Sequence, residues 1–280
     1  WIEACDPALF EEIRLLIGAG RWEPVGGWVE QSDTIITPGE VLFRQAEFGR
    51  RYFREKFGCD IRIGYSVDSF GQNAGLPKIL NATGFDRYVF MRPMAEEKTM
   101  PYLFRWRGDG GSEVVTLRVR QAYCTMPGWK EKTQLFDWID RLIAEGDEHQ
   151  TFFFGVGDHG GGIYERQLEW LLEAAETRDI EFSTLAHYFD TIERTELPVY
   201  EGELTHHSPG CYSAVSMVKR QFAAVERSLF KAEKLVLESP GPDAEADTAK
   251  LDDAWNQFLF NYFHDVYPGT AVRKSFEGEV

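Results

Sequence analysis

Cysteine is scarce in this sequence. The four residues, Cys5, Cys59, Cys124 and Cys211, are scattered and form no Cys-x-x-Cys pair. That excludes a zinc knuckle or a disulfide-stapled scaffold and makes a reducing compartment the expectation. Long apolar runs are missing as well: none approaches the roughly 20 residues that span a bilayer, and no basic-then-apolar leader stands at the N-terminus. Basic residues are outnumbered, with 30 Lys and Arg against 46 Asp and Glu for a net charge of -16. Such a surface repels a phosphate backbone and anionic lipid. Nucleic acid and membrane are therefore excluded as expected partners, and a cytoplasmic location is expected.

What the sequence does have is apolar and aromatic mass. Of its 280 residues 43% are hydrophobic, and 21 Phe, 11 Tyr and 8 Trp are present. That suffices for one large domain, or one domain with a smaller second. Most of the rings belong in a core, while a minority could stack on sugar faces. The chain opens without Met at Trp1 and stops after a helix-like stretch, which reads as an excerpt from a longer protein.

Periodicity divides the chain in two. Leu9, Ile13, Leu16 and Ile17 recur at helical spacing behind Asp6 as an N-cap, predicting a helix over Pro7 to Ala19. A strand over Trp22 to Val29, a helix over Gly39 to Phe57 and a strand over Ile61 to Tyr65 follow. Next come a helix over Leu76 to Thr83, a strand over Tyr88 to Met91, a hairpin over Tyr102 to Arg120 and a helix over Leu135 to Ala144. A buried strand at Phe152 to Phe154 and a helix over Tyr164 to Thr177 complete this part. Such βα alternation predicts a mostly parallel sheet flanked by helices. From Gly202 the texture changes to long helices, Ala214 to Glu238 and Asp247 to His264, resembling antiparallel bundle helices. The expected domains are thus 1–201, α/β, and 202–280, the start of a helical bundle.

In open α/β sheets the carboxyl ends of strands carry the sites. Two such ends carry an aspartate: Asp68 in Ser66-Val67-Asp68-Ser69-Phe70-Gly71, and Asp158 in Gly157-Asp158-His159-Gly160-Gly161-Gly162. Each fits a helix cap or turn. As a pair they are the minimum equipment for glycoside hydrolysis with retention, a nucleophile and a general acid/base. The glycine run lacks the Gly-Lys-Ser/Thr ending of a phosphate loop. His264, at the expected helix end beside Asp265, fits a helix cap. The adjacent His206 and His207 diverge from one another and fit substrate or structural contacts better than one metal ion.

Together and in this order, these segments resemble glycoside hydrolase family 38, the class II α-mannosidases, and its bacterial members especially. The resemblance rests on Trp22-Glu23-Pro24-Val25-Gly26-Gly27 with Trp28-Val29-Glu30, on Val67-Asp68-Ser69-Phe70-Gly71 continuing to Gly84-Phe85, on the glycine-rich stretch around Asp158, and on Phe263-His264-Asp265-Val266-Tyr267-Pro268-Gly269-Thr270. It implies an incomplete seven-stranded β/α barrel-like catalytic domain followed by a helical bundle. It implies a retaining α-mannosidase that removes terminal α-linked mannose from glycans, with Asp68 as nucleophile and Asp158 as candidate acid/base. Asp68 and His264 would bind a catalytic Zn2+, and Arg92, Phe70, Asp265, His159 and His207 would contact the α-mannoside.

Two departures stand out. Gln72 occupies the place of the family's usual His, which touches a supporting contact. The family's first-strand His-x-Asp motif is absent, so two of the expected four zinc ligands would lie outside this chain. Residues 1 to 280 alone are accordingly expected to bind zinc weakly and to turn over aryl α-mannosides negligibly. A homo-oligomer stays open for the longer protein. Rival readings are a metal-dependent polysaccharide deacetylase-like enzyme and a catalytically inactive carbohydrate-binding relative.

Overall fold

The computed structural model describes residues 1–120, 122–124, 129–147, 150–155, 157, 161–238, 241 and 243–277. Its principal sheet has five strands in the order β1-β3-β5-β4-β6. These are β1 (Ile63–Ser66), β3 (Arg87–Phe90), β4 (Leu103–Arg107), β5 (Glu113–Arg118) and β6 (Val199–Glu201). β1, β3 and β5 run parallel, β4 pairs antiparallel with β5 as the expected hairpin, and β6 joins β4 in parallel. A second sheet pairs β2 (Gly71–Gln72) with β7 (Leu204–Thr205).

Alternation along β3 explains why the central sheet is covered on both faces. Tyr88 and Phe90 point to one side, into a cluster with Leu42, Leu76, Leu80, Phe85, Phe104 and Trp106. Val89 and Met91 point to the other, where Ile63, Val115, Leu117 and Phe189 meet them. A parallel sheet buried on both faces has no polar face to show, so its strands read as near-continuous apolar runs.

Helices supply the cover. α1 (Ile2–Cys5) and α2 (Pro7–Gly18) open the chain, and the Asp6 carboxylate accepts from the Leu9 N–H as the expected N-cap of α2. α3 (Gly39–Phe57) starts behind Pro38 and ends at Gly58, whose left-handed backbone lets its N–H return to the Arg54 carbonyl. Its buried residues, Val41, Leu42, Gln45, Ala46, Gly49 and Arg50, fall on one stripe. α4 (Leu76–Ala82) packs beside it, α5 (Lys132–Ala144) pairs with α6 (Glu165–Thr177) through Leu135, Ile139, Leu171 and Ala174, and α7 (Leu185–Asp190) brings Phe189 to the sheet. Further on, α8 (Ser216–Glu238) and α9 (Ala244–Phe260) pack against α3 through Val41, Leu229, Trp255, Phe258 and Leu259, and the short α10 (Arg273–Glu277) follows. Among the described residues no helix is long and apolar enough to cross a membrane.

One contact in this packing tolerates no side chain. A Cβ on Gly49 would stand 2.5 Å from the Trp28 carbonyl carbon and closer still to the Gly27 carbonyl oxygen, both backbone atoms with nowhere to go. Gly49→Ala is expected to destabilise the fold by about 1–3 kcal/mol, as overpacking does. A lower urea midpoint at unchanged slope would report it; an unshifted midpoint would show that the segment yields.

Three expectations need correction. Trp22 to Val29 is not a strand: Pro24 has no N–H to donate, Gly26 and Gly27 take φ of 91° and 65°, and among the described residues its backbone bonds to β1 are limited to Gly26 N–H to the Ile63 carbonyl at 2.9 Å, with the Trp28 indole N–H reaching the Tyr65 carbonyl at 3.1 Å. Phe152 to Phe154 is not a buried strand either. Each ring packs on a different partner, Phe152 on Trp138, Phe153 on Tyr65 and Phe154 on Phe182, and Phe154 remains 41% exposed. Apolar content was satisfied by separate aromatic contacts, with no ladder. Finally, α9 stops at Phe260, so His264 lies in the turns beyond it, where Phe263 bridges to Ser32.

Candidate functional site

The register of β1 against β3 sets Ser66 opposite Phe90. Asp68 and Arg92, each two residues further on, therefore leave the carboxyl end of the sheet side by side. Arg92 Nη1 donates to Asp68 Oδ1 at 2.5 Å and to the Asp68 carbonyl at 2.6 Å. Beyond β5, the next strand over, the Tyr123 hydroxyl donates to Asp68 Oδ2 at 3.2 Å. From the far end of the sequence, His264 Nε2 stands 3.4 Å from that same oxygen.

These neighbours decide the charge of Asp68. Its partial burial would raise the carboxyl pKa, but the His264 hydrogen bond and the charge and hydrogen bond of Arg92 outweigh burial and bring it down to about 2. The group is ionised at neutral pH, the state a carboxylate nucleophile needs. For His264 burial disfavours the charged form, yet bonding to Asp68 and to the Gln31 carbonyl raises its pKa above the ordinary imidazole value.

The tautomer of His264 follows from its second nitrogen. Nδ1 lies 2.9 Å from the Gln31 carbonyl oxygen and 3.3 Å from the Gln31 side-chain nitrogen. A carbonyl can only accept, so the shorter contact places the proton on Nδ1, and the longer one, between two donors, is not a bond. In the charged ring Nε2–H is the donor to Asp68, and loss of that proton leaves an Nε2 lone pair facing the carboxylate. An imidazole anchored through Nδ1–H to a carbonyl with Nε2 free is the usual preparation of a metal-ligating histidine. Asp68 Oδ2 and His264 Nε2 thus fit half of a four-ligand zinc set, and among the described residues no third His, Cys, Asp or Glu completes it.

Phe70 and His207 lie beside this centre. The Phe70 ring is 6.0 Å from the Arg92 guanidinium carbon, and it stacks on the His207 ring at 6.0 Å and 14°. His207 Nδ1 meets Glu97 Oε1 at 2.6 Å, which fixes the orientation of the ring. Its neighbour His206 meets a different partner, with Nε2 3.0 Å from Lys98 Nζ. Asp265 closes a turn, with Oδ1 accepting from the Thr270 hydroxyl at 2.6 Å. Gln72 is fully buried: its side-chain oxygen accepts from Tyr88 and Thr34, and its nitrogen reaches the Arg92 carbonyl at 3.4 Å. Asp158 and His159 lie outside the described residues.

Sequence reasoning missed Tyr123 and Gln31. The rule that singled out Asp68, a polar residue just past a strand's carboxyl end, applies equally to Tyr123, five residues beyond β5. Gln31 carries no such signal, since its role exists only where the early loop meets the chain after α9.

Comparison with known proteins places the chain in a family. The chain is 29% identical to "Alpha-mannosidase G" of Dictyostelium discoideum over 99% of its own length and 26% of that protein. It is 28% identical to "Alpha-mannosidase 2C1" of Homo sapiens over 98% of its length and 27% of that protein. It therefore spans about a quarter of the curated relatives it matches. The crystal structure of an alpha-mannosidase from Enterococcus faecalis V583 superposes on 99% of the chain, and on 33% of that structure's own chain, with a TM-score of 0.78 at 19% identity, a likeness of fold. The model of the glycosyl hydrolases family 38 N-terminal domain matches residues 1–203, and the chain belongs to that family.

Proposed function

We propose that this chain carries the nucleophile side of a retaining α-mannosidase site within a longer enzyme, with residues 1–201 as an incomplete β/α barrel-like catalytic domain and 202–280 as the start of its helical bundle. The observation that supports this best is Asp68, held ionised beyond the carboxyl end of β1 by His264 and Arg92 and bonded by the Tyr123 hydroxyl. Zinc, held by Asp68 and His264 together with ligands from elsewhere in the enzyme, would supply positive charge beside the carboxylate and a hold on neighbouring sugar hydroxyls.

Asp68 attacks the anomeric carbon with a carboxylate oxygen. Arg92, bonded to both the carboxylate and the carbonyl of Asp68, fixes the direction of that attack. Asp158 protonates the leaving oxygen, so the glycosidic bond breaks as the covalent glycosyl-Asp68 bond forms. Asp158 then takes a proton from water, the water oxygen attacks the anomeric carbon, and Asp68 departs as carboxylate. Phe70 and His207 offer a ring face and an oriented imidazole to the bound sugar.

The test is to incubate the full-length gene product with an aryl α-mannoside and follow the first-formed sugar by NMR. The expected product is the α-anomer. A first-formed β-anomer, or no turnover with zinc supplied, would overturn the reading.

A further inference from the structure

We propose that Gln31 is a positioning residue that ties the two zinc-facing side chains of this chain, Asp68 and His264, into one rigid pair; the inference rests on the zinc reading above. Gln31 grips His264 twice, its carbonyl accepting from the ring Nδ1 at 2.9 Å and from the backbone N–H at 3.1 Å. Its side-chain Oε1 accepts from the N–H of Val67, the residue before Asp68, at 3.0 Å. One residue thus joins segments 36 positions and 233 positions away in sequence.

The surroundings explain why this link can carry position. Gln31, Ser32 and Asp33 run along the nucleophile loop and hold it at three points: Val67 through Gln31 Oε1, the Ser69 hydroxyl through the Ser32 carbonyl at 3.1 Å, and the Phe70 N–H through Asp33 Oδ2 at 2.9 Å. Asp68 is the residue these points straddle. The segment is itself anchored to two helices by Gln45 of α3, fully buried, whose side chain accepts from the Glu30 N–H and donates to Ser32 Oγ and to the Leu259 carbonyl of α9. The clamp is therefore fixed from behind, and Gln31 also hydrogen-bonds His264.

Two ligands that must arrive from distant segments lose affinity if either can drift, because the ordering then falls on the binding step. The Gln31 amide removes that drift for the carboxylate side, and its carbonyl removes it for the imidazole side.

The experiment measures zinc affinity by chelator competition in the full-length gene product and in its Gln31→Leu, Gln31→Asn and Gln31→Glu variants, with melting of the metal-free proteins as a separate report on folding. Leu offers no acceptor, and Asn is one methylene too short to reach the Val67 N–H. Both are expected to lose about tenfold or more in affinity, the size typical of losing a supporting partner of a ligand. Glu keeps an acceptor oxygen at the right reach and is expected to bind zinc at least as tightly as the parent. Parent-like affinity in both Leu and Asn variants overturns the inference alone, as does an equal loss in all three. A parent protein that binds no zinc overturns it together with the reading on which it rests.

Discussion

Replacing Asp68 with Asn in the full-length gene product is expected to lower turnover of an aryl α-mannoside by roughly 10^4-fold or more, the scale on which a covalent nucleophile is lost. The amide keeps the shape of the carboxylate but has no charge with which to attack, and it leaves Arg92 Nη1 without the anion it contacts at 2.5 Å. Folding should survive, since the Asp68 carbonyl still accepts from Arg92 and the clamp at Val67, Ser69 and Phe70 is untouched. Product chemistry gives the sharper check. In Asp68→Gly, azide should restore turnover and give the β-mannosyl azide, because it enters from the face the carboxylate vacated; in Asp158→Ala it should give the α-mannosyl azide by attack on the glycosyl-enzyme. An Asp68→Asn enzyme retaining more than about a tenth of parental turnover would remove Asp68 from the nucleophile role.

The second large effect concerns His264, which is 6% exposed and meets Asp68 Oδ2 from across the fold. His264→Ala is expected to weaken zinc binding by roughly 10^2-fold or more, beyond the loss from disturbing a supporting partner alone. It should also release Asp68 upward from a pKa of about 2, since the His264 bond leads the influences that lower it against burial. Metal content after dialysis measures the first effect. Added imidazole, small enough for the vacated space, should recover part of the zinc. Stoichiometric zinc in the dialysed Ala variant would show that the ion does not use His264.

Where the sequence was legible, the information was local. The helix expected over Gly39 to Phe57 is α3, because helical period is a property of a short stretch of chain. The hairpin of β4 and β5 was readable for the same reason. Trp22 to Val29 and Phe152 to Phe154 were not, since an apolar run becomes a strand only if a neighbouring edge is free to pair with it, and here none of the described residues pairs with either as a ladder. The end of α9 was overrun because the pattern alone does not reveal that Phe263 is claimed by a bridge to Ser32.

The same division holds for the candidate site. The sequence by itself singled out the candidates, Asp68 just past a strand end and the His264-Asp265 pair at an expected helix end, and the family resemblance added Arg92. Tertiary structure alone decided who meets whom. Parallel register in the sheet turns equal offsets into adjacency, so Asp68 and Arg92 pair across 24 residues. Packing of α9 on α3 carries the following turn back to the nucleophile loop, so that a glutamine with no motif of its own grips a histidine 233 residues away. Residue type and spacing are written along the chain, whereas a hydrogen bond between distant segments depends on every packed layer between them.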